Sequence, residues 1–225
     1  MLNLNAIFKN LFFDFIKPET YKTDFNFSQP IKLVIAISGA AALGKSYFSE
    51  NLKEFLESHG IQSTYISLDG YLLNRKYRQK KKLSGYDPKA NNLKKMINDL
   101  NSLILDSNEI AVPLYDHKLG KHIGNETKIP NPVVILDGIM ALHYEIRKFS
   151  NIKIFMSADL LTLKGLRILE DKNNRGYTIV EAVGHAESEY ENYLKWIEHQ
   201  ESLSDVLITV NYLHEYGYKI NEIPA

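Results

Sequence analysis

One stretch of eight residues has the composition and spacing of a phosphate-binding loop. It reads Gly39-Ala40-Ala41-Ala42-Leu43-Gly44-Lys45-Ser46 and fits the pattern G-x-x-x-x-G-K-[ST] without a gap. In such a loop, glycines let backbone N–H groups turn toward phosphate oxygens, and the following helix adds its positive end. Lys45 is expected to reach the β- and γ-phosphates, and Ser46 to bind Mg²⁺. Residues 39–46 and Tyr47 are therefore predicted to bind ATP with Mg²⁺; the alternative is a chance match in a strand–turn–helix.

A second motif would place a carboxylate beside the metal. Val133-Val134-Ile135-Leu136 is an apolar run that ends at Asp137-Gly138. An acidic residue at the end of a buried strand is typical of the second metal-binding motif of phosphate-loop proteins. Asp137 is therefore predicted to hold Mg²⁺ together with Ser46. The alternative is that Asp137-Gly138 supplies only turn chemistry.

A third carboxylate, Asp69, follows the second predicted strand. Open α/β sheets bind ligands at the carboxyl ends of their strands, and a carboxylate there could take the proton of an attacking hydroxyl group. The alternative is a turn aspartate ahead of Gly70. Segments 85–90 and 113–117 also place polar and aromatic side chains beside predicted strand or helix ends, where ordinary turns are the alternative.

The elements that must position these residues alternate along the chain. Residues 31–37 are almost wholly apolar, the pattern of a strand buried on both faces. Further strands are predicted at 62–67, 109–115, 121–129, 133–136, 152–156 and 206–210, the last of the series. Helices are predicted at 47–59, 93–104, 160–172 and 178–198, with a basic helix and loop at 71–84. This order predicts an α/β fold with a mainly parallel sheet, to which 109–115 and 121–129 add a small ribbon.

Composition limits the classes of function. The chain has 225 residues, enough for one α/β domain with a small lid or insertion. Basic and acidic residues number 27 each, so no net charge favours nucleic acid or an anionic membrane as a partner. The absence of cysteine excludes disulfides, thiolate zinc sites and thiol chemistry, and it fits the cytoplasmic location that we predict.

The N-terminal segment carries an apolar stripe at helical spacing. Its members are Ile7, Phe8, Leu11, Phe12, Phe15 and Ile16. Lys9, Asn10 and Asp14 interrupt the stripe, and no run approaches the roughly 18 apolar residues of a membrane span. We expect a helical extension over residues 1–30 that packs on its own domain, with no stable membrane insertion and no signal peptide. A dimer contact in a homo-oligomer and a helix at the membrane surface are the alternatives.

Seven segments, through their order and spacing, resemble the phosphoribulokinase/uridine kinase family of P-loop kinases over roughly residues 31–210. They are Ser38-Gly39…Gly44-Lys45-Ser46, Ser67-Leu68-Asp69, Tyr86-Asp87-Pro88-Lys89-Ala90, Pro113-Leu114-Tyr115-Asp116-His117, Val134-Ile135-Leu136-Asp137-Gly138, Arg167-Ile168-Leu169-Glu170-Asp171 and Asn174-Arg175-Gly176-Tyr177. The resemblance implies a P-loop kinase-like three-layer α/β fold with a small lid near 165–180, in a single domain over residues 1–225.

The resemblance also implies roles for residues on the acceptor side. Asp69 matches the position of the family's catalytic base, and Asp87 looks like the carboxylate that holds acceptor hydroxyl groups. Tyr86, Tyr115 and His117 match residues of an acceptor pocket. A small molecule with a hydroxyl group is therefore the expected partner.

In the lid, Arg167 and Arg175 match cations that close over the phosphates. Such cations are useful because the transition state spreads charge over phosphoryl oxygens; a solvated helix face is the alternative. The chain departs from the family's pattern at Glu170-Asp171, where Arg-Asp is frequent, and at Tyr177, where uridine kinases commonly have arginine. The place of the uridine kinases' base-contacting histidine falls near Gly120.

A basic stretch lies between Asp69 and Asp87. Its members are Arg75, Lys76, Arg78, Lys80, Lys81 and Lys82. Such a run is usually a solvated face. It could instead attract a phosphorylated acceptor, and for this reason Arg75 is included among the predicted substrate-binding residues.

Together the motifs predict an ATP- and Mg²⁺-dependent kinase that phosphorylates a hydroxyl of a sugar, sugar phosphate or related metabolite. Lys45, Asp69, Arg167 and Arg175 are its expected catalytic residues. A uridine/cytidine-type nucleoside kinase is the alternative substrate assignment. A nucleotide-binding switch or scaffold with little transfer activity is the alternative from another class. The candidate base at Asp69 argues against it, since a switch needs no carboxylate facing an acceptor.

Overall fold

The computed structural model describes residues 4–12 and 33–221, which form two sheets and six α-helices. The strands are β1 (Leu33–Gly39), β2 (Ser63–Ser67), β3 (Ile110–Asp116), β4 (Lys121–Lys128), β5 (Val133–Asp137), β6 (Ile152–Ser157), β7 (Val206–Val210) and β8 (Tyr216–Ile220). The helices are α1 (Leu4–Lys9), α2 (Lys45–Ser58), α3 (Arg75–Lys80), α4 (Leu93–Leu100), α5 (Leu160–Asn174) and α6 (Ile179–Trp196). Shorter 3₁₀ turns span Leu68–Tyr71, Pro88–Ala90, Arg147–Phe149 and Glu198–Leu203, and a π-helical turn, Asn101–Leu105, continues α4.

The main sheet has the strand order β2-β5-β1-β6-β7-β8. Its first five strands run parallel, and every residue of β1 and β5 is buried, which explains their unbroken apolar sequences. Asp137 is in register with Ile37 of β1 and with Ser67 of β2. The carboxyl ends of these three strands therefore meet at one edge, as the predicted α/β fold with a mainly parallel sheet requires.

The sequence analysis predicts residues 206–210 as the last strand, and this prediction is wrong. Strand β8 returns antiparallel to β7 and forms the outer edge of the sheet. Its sequence, Tyr-Gly-Tyr-Lys-Ile, lacks the apolar run of the inner strands because half of an edge strand can face solvent. The predicted ribbon of β3 and β4 is confirmed as a separate antiparallel pair.

Helix α2 packs against β1, β2 and β5, and the 3₁₀ turn Glu198–Leu203 packs against β1 and β6. Helices α5 and α6 pack against each other. The Asp159 side chain caps α5 by accepting the Thr162 N–H at 2.9 Å, and Thr178 and Glu181 form a reciprocal capping box at the start of α6. These caps fix the start of α5, which carries Arg167, and the start of α6, which follows Arg175.

The N-terminal helix packs on the core. Ile7 and Phe8 are fully buried, and the Phe8 ring lies 5.0 Å from that of Phe48 in α2. The predicted members Phe15 and Ile16 lie outside the described residues. Within residues 4–12 and 33–221, no helix is long and apolar enough to cross a membrane.

Candidate active site

The predicted phosphate loop connects β1 to α2 in left-handed backbone conformations. Ala42 and Gly44 have φ angles of 67° and 75°, and Gly39 has a φ of 140°. A Cβ atom on Gly39 would overlap the carbonyl oxygen of Met156, so a side chain is excluded there. The Leu43 side chain is fully buried and anchors the loop in the core. The loop's form is thus set by backbone freedom at two glycines and by one apolar anchor.

Lys45, the first residue of α2, is nearly buried, with 9% of the residue exposed. Its Nζ donates a hydrogen bond to the carbonyl oxygen of Ala40 at 2.7 Å, which folds the side chain back over the loop. Burial lowers the pKa of Lys45, and the carboxylates of Asp137 and Asp69 offset part of this effect. A buried cation held over the loop suits an anionic ligand that would enter beside it.

Ser46 and Asp137 are brought together from different elements. The Ser46 hydroxyl donates to Asp137 Oδ2 at 2.7 Å, and the Tyr65 hydroxyl donates to the same oxygen at 2.9 Å. Asp137 is 2% exposed, and burial raises its pKa to about 6, against the attraction of Lys45. Its Oδ1 is buried without a hydrogen-bond partner among the described residues. An unpartnered carboxylate oxygen beside a hydroxyl group fits a Mg²⁺ ion that also binds ligand phosphates.

Within the described ranges, no cluster of three or more His, Asp or Glu side chains could hold a metal ion by itself. This agrees with the usual behaviour of Mg²⁺, which takes one or two protein ligands and completes its shell with phosphate oxygens and water. Ser46 and Asp137 would therefore hold the ion only together with a nucleotide.

Asp69 lies in the 3₁₀ turn that follows β2, and its side chain is 41% exposed toward the cavity described below. Its Oδ2 lies 3.2 Å from His117 Nε2. Partial burial acts to raise the pKa of Asp69, but the hydrogen bond and charge of His117, with the charges of Lys45 and Arg175, outweigh it and lower the pKa. The carboxylate is therefore ionised at neutral pH and can accept a proton.

Two glycines let other segments approach Asp69 closely. A Cβ on Gly70 would overlap the carbonyl oxygen of Pro113 in β3. A Cβ on Gly138 would lie 3.0 Å from Leu68 Cβ and 3.4 Å from Asp69 Oδ1. The Asp69-Gly70 pair thus gives β3 direct backbone contact with the turn, and this contact brings His117, the residue after β3, to Asp69.

We expect Gly70→Ala to lower the free energy of unfolding by about 1–3 kcal/mol, because the added methyl group must displace backbone atoms of β3. Urea titration would measure the change. Gly184→Ala in α6 is the matched control, because its added methyl group would meet no atom within 4 Å. Alanine is favoured over glycine in a helix by about 0.5–1 kcal/mol, so this variant should not lose stability. Equal stability of Gly70→Ala and the parent would contradict the close approach.

A single cavity of about 690 Å³ joins these residues. The phosphate loop and the start of α2 form one wall through Ala41, Ala42 and residues 44–47. The candidate base Asp69 and the predicted metal ligand Asp137 also line it. Further lining residues come from the acceptor side and from the predicted lid: Arg75, Arg78, Gly85, Tyr86, His117, Arg167, Glu170, Arg175, Tyr177, His185 and Glu189. The cavity thus connects the predicted phosphate-binding loop, a candidate base and two groups of arginines.

The two predicted lid arginines are organised by Asp171, which is fully buried. Arg167 Nε donates to Asp171 Oδ2 at 3.1 Å, and Arg175 Nη1 lies 3.5 Å from Asp171 Oδ1. Arg167 also reaches Glu189 of α6 at 3.7 Å. Glu170, where the chain departs from the family's pattern, makes a longer contact of 4.0 Å with Arg175 Nε. Both arginines line the cavity, and the carboxylates of Glu170, Asp171 and Glu189 are their ion-pair partners.

The basic stretch divides into two parts. Arg75 and Arg78 line the cavity, whereas Lys76 and Lys80–Lys82 are exposed and lie outside its wall. Arg78 donates to the carbonyl oxygen of Leu73 at 2.9 Å and to the Tyr115 hydroxyl at 3.2 Å; Arg75 donates to the backbone carbonyl of His117. The lysines follow the solvated-face alternative, and the two arginines are the members that converge on the cavity.

The sequence profile of the phosphoribulokinase/uridine kinase family matches residues 34–214. The chain belongs to this family. The match confirms the resemblance that the seven segments indicated, and with it the P-loop kinase-like fold.

Two curated relatives and one solved structure illustrate the match. The chain is 27% identical over 180 residues to phosphoribulokinase of Synechocystis, covering 79% of this chain and 53% of that protein. It is 28% identical over 185 residues to uridine kinase of Haemophilus ducreyi, covering 78% and 84%. D-glycerate 3-kinase of Cryptococcus neoformans superposes with a TM-score of 0.67 at 17% identity, covering 97% and 99%, which is a likeness of fold. The chain spans about half the length of the phosphoribulokinase.

Not every position that matches the family's motifs reaches the cavity. The Asp87 carboxylate accepts the Lys89 N–H at 2.8 Å and caps a 3₁₀ turn. The Tyr115 ring packs edge-on against His117 and His122 instead of lining the wall. The acceptor roles of Asp87 and Tyr115 stay predictions.

Other residues of the site were missed at the sequence level. Tyr65 binds Asp137, Glu189 joins Arg167 to the Ser84 hydroxyl, and His214 lines the cavity near Gly44. Tyr65 precedes the end of β2 by two residues, but only the strand order shows that β2 neighbours β5. His214 lies in the turn before strand β8, which the sequence pattern does not predict, so no motif points to this residue.

Proposed function

We propose that this protein is an ATP- and Mg²⁺-dependent kinase that phosphorylates a hydroxyl group of a small anionic polyol, of the sugar phosphate type. The supporting observation is the shared cavity: the phosphate loop, the Ser46–Asp137 pair, Asp69 and two arginines of α3 line one space of about 690 Å³. Membership of the family supports the reaction class, and the arginines support the anionic acceptor.

The site residues suggest the following division of roles. The loop N–H groups and Lys45 would hold the triphosphate, and Ser46 with Asp137 would hold Mg²⁺, which neutralises phosphate charge. The acceptor oxygen would attack the γ-phosphorus while the bond from that phosphorus to the β–γ bridging oxygen breaks. The acceptor's proton passes to the Asp69 carboxylate. Arg167 and Arg175 would stabilise the charge on the transferred group.

The acceptor end of the cavity is positively charged. Arg75 and Arg78 are held in place by backbone carbonyl oxygens, so their guanidinium groups are already oriented. Oriented guanidinium groups bind phosphate in paired hydrogen bonds, which a neutral nucleoside would leave unused. The phosphorylated acceptor is therefore favoured over uridine or cytidine.

A screen for acceptor-dependent ADP release tests this function. The panel should contain pentose phosphates, D-glycerate, uridine and cytidine, with ATP and Mg²⁺ in every reaction. The highest kcat/KM for a phosphorylated polyol is the expected result. A higher value for uridine or cytidine would promote the nucleoside kinase, which the match to uridine kinase over 84% of its length also supports. ATP binding without any acceptor-dependent release would favour a switch or scaffold.

We expect Arg78→Gln to raise KM for the phosphorylated acceptor about 10-fold or more, because one charge-assisted hydrogen bond contributes roughly 1.5–3 kcal/mol. The KM for an unphosphorylated acceptor should not change. Steady-state kinetics at low and high salt would measure both values, and the effect should shrink at high salt as screening weakens the parent enzyme's contact.

Lys80→Gln is the matched control, since Lys80 lies on the same helix but outside the cavity wall. It should leave both KM values unchanged. Equal effects of the two variants would mean that the stretch acts only through its overall charge, contrary to the proposed contact.

A further inference from the structure

Tyr86 connects the acceptor side of the site to the phosphate loop. It is 4% exposed, and its hydroxyl oxygen accepts a hydrogen bond from the backbone N–H of Ala41 at 2.9 Å. It also lines the main cavity. The family's motif suggests only an acceptor-pocket residue at this position, whereas the observed contact is with the third residue of the nucleotide loop.

The proton of this hydroxyl group has no acceptor in the described part of the chain. A tyrosine hydroxyl can donate one hydrogen bond and can also accept at its lone pairs. Among residues 4–12 and 33–221, the hydrogen bond that the Tyr86 hydroxyl accepts from Ala41 is the one it makes. Burial raises the pKa of Tyr86 above its usual range, so the group keeps its proton. Because Tyr86 lines the main cavity, this hydroxyl proton is available to a ligand oxygen at the loop.

The surrounding groups define the ligand oxygen. Lys45 Nζ is bound to Ala40, the neighbour of Ala41, and this lysine is the one that reaches the β- and γ-phosphates. On the other side, Tyr86 shares a small cavity of about 20 Å³ with Ala41 and Arg167. Tyr86 therefore contacts the loop beside the residue that binds Lys45, and it shares a cavity wall with Arg167; both cations would face the outer end of a bound triphosphate.

We propose that the Tyr86 hydroxyl donates a hydrogen bond to the γ-phosphate of bound ATP while it accepts one from the Ala41 N–H. This inference rests on the proposed function for the identity of the ligand. Tyr86 is then a nucleotide-contacting residue that distinguishes ATP from ADP, and its link to Ala41 sets the position of the loop's third residue around the transferred group.

The test is Tyr86→Phe, which keeps the ring and removes the hydroxyl. Calorimetry would give Kd for Mg·ADP and for Mg·AMP-PNP, an ATP analogue that is not hydrolysed. We expect Kd for Mg·AMP-PNP to rise about 10-fold or more, as for the loss of a hydrogen bond to a charged group, while Kd for Mg·ADP does not change. Turnover with the best acceptor should fall as well.

Tyr71→Phe is the matched control. Tyr71 is another buried tyrosine, its hydroxyl donates to Asp99 Oδ2 at 2.8 Å, and it lines neither the main cavity nor the small one. It should bind both nucleotides like the parent. Thermal unfolding of both variants would show that each is folded at the temperature of the calorimetry.

The outcomes separate this inference from the proposed function. Equal weakening of Mg·ADP and Mg·AMP-PNP binding in Tyr86→Phe would mean that Tyr86 only supports the loop's conformation. Unchanged binding of both nucleotides would mean that Tyr86 contacts neither. Either result overturns the inference. Selective weakening of Mg·AMP-PNP in a protein that phosphorylates no acceptor would uphold the γ-phosphate contact and overturn the proposed kinase activity.

Discussion

Replacing Lys45 with alanine is expected to weaken Mg·ATP binding about 10–100-fold, because the variant loses a charge-assisted contact with the β- and γ-phosphates, at roughly 1.5–3 kcal/mol. Turnover should fall as well, because Lys45 is the cation that the structure holds over the loop, where its Nζ donates to the Ala40 carbonyl oxygen. Calorimetry with Mg·ATP measures the first effect, and acceptor-dependent ADP release measures the second.

The fold should tolerate this change. Burial lowers the pKa of Lys45 despite the attraction of Asp137 and Asp69, so the charged side chain gives no net stabilisation to the empty protein. Lys53→Ala is the matched control, since Lys53 lies on the same helix, is exposed and pairs with Glu57. Unchanged Mg·ATP affinity in folded Lys45→Ala would show that the loop is not the nucleotide site.

The central sheet could be predicted because its signals are local. The sequence predicts the strands 133–136 and 152–156 to within a residue or two of their bounds, since parallel inner strands are continuous apolar runs bounded by turn residues. Strand β8 could not be found in the same way, because an edge strand with alternating polar residues resembles a loop. The contact of the N-terminal helix with Phe48 likewise depends on tertiary packing that periodicity does not encode.

The same distinction between local features and contacts of distant segments holds for the site. The loop and Asp137 were predictable because chemistry fixes residue type and spacing within one strand–loop unit. The contacts of Tyr65 with Asp137 and of Tyr86 with Ala41 join segments 72 and 45 residues apart, so they required the strand order and the packed core. Asp171 keeps the aspartate of the family's Arg-Asp pair, but the sequence pattern assigns it no role; in the structure it is the buried anion that contacts both lid arginines. A charge count along one helix cannot show that arrangement.

Asp69→Asn is expected to lower turnover by about 10²–10⁴-fold while Mg·ATP affinity is retained, because the amide has the carboxylate's shape but cannot take the acceptor's proton. The low pKa of Asp69, set by His117, Lys45 and Arg175 against partial burial, makes the parent carboxylate a weak but fully ionised base. A loose phosphoryl transfer demands little of a base until the new bond is well formed, which places the expected loss toward the lower end of this range. Single-turnover kinetics with saturating acceptor would isolate this step from product release.

The distance of 3.2 Å between His117 Nε2 and Asp69 Oδ2 gives this experiment a sharper form. If His117 only orients the carboxylate, His117→Asn should lower turnover less than Asp69→Asn does, and the double variant should be no slower than Asp69→Asn alone, since the group being oriented is already absent. If the imidazole is itself the base, the order is reversed. Asp106→Asn, an exposed aspartate outside the cavity, should match the parent in every assay. Parental turnover in Asp69→Asn would return Asp69 to the role of a turn residue ahead of Gly70, whose close contact with Pro113 already accounts for the shape of that turn.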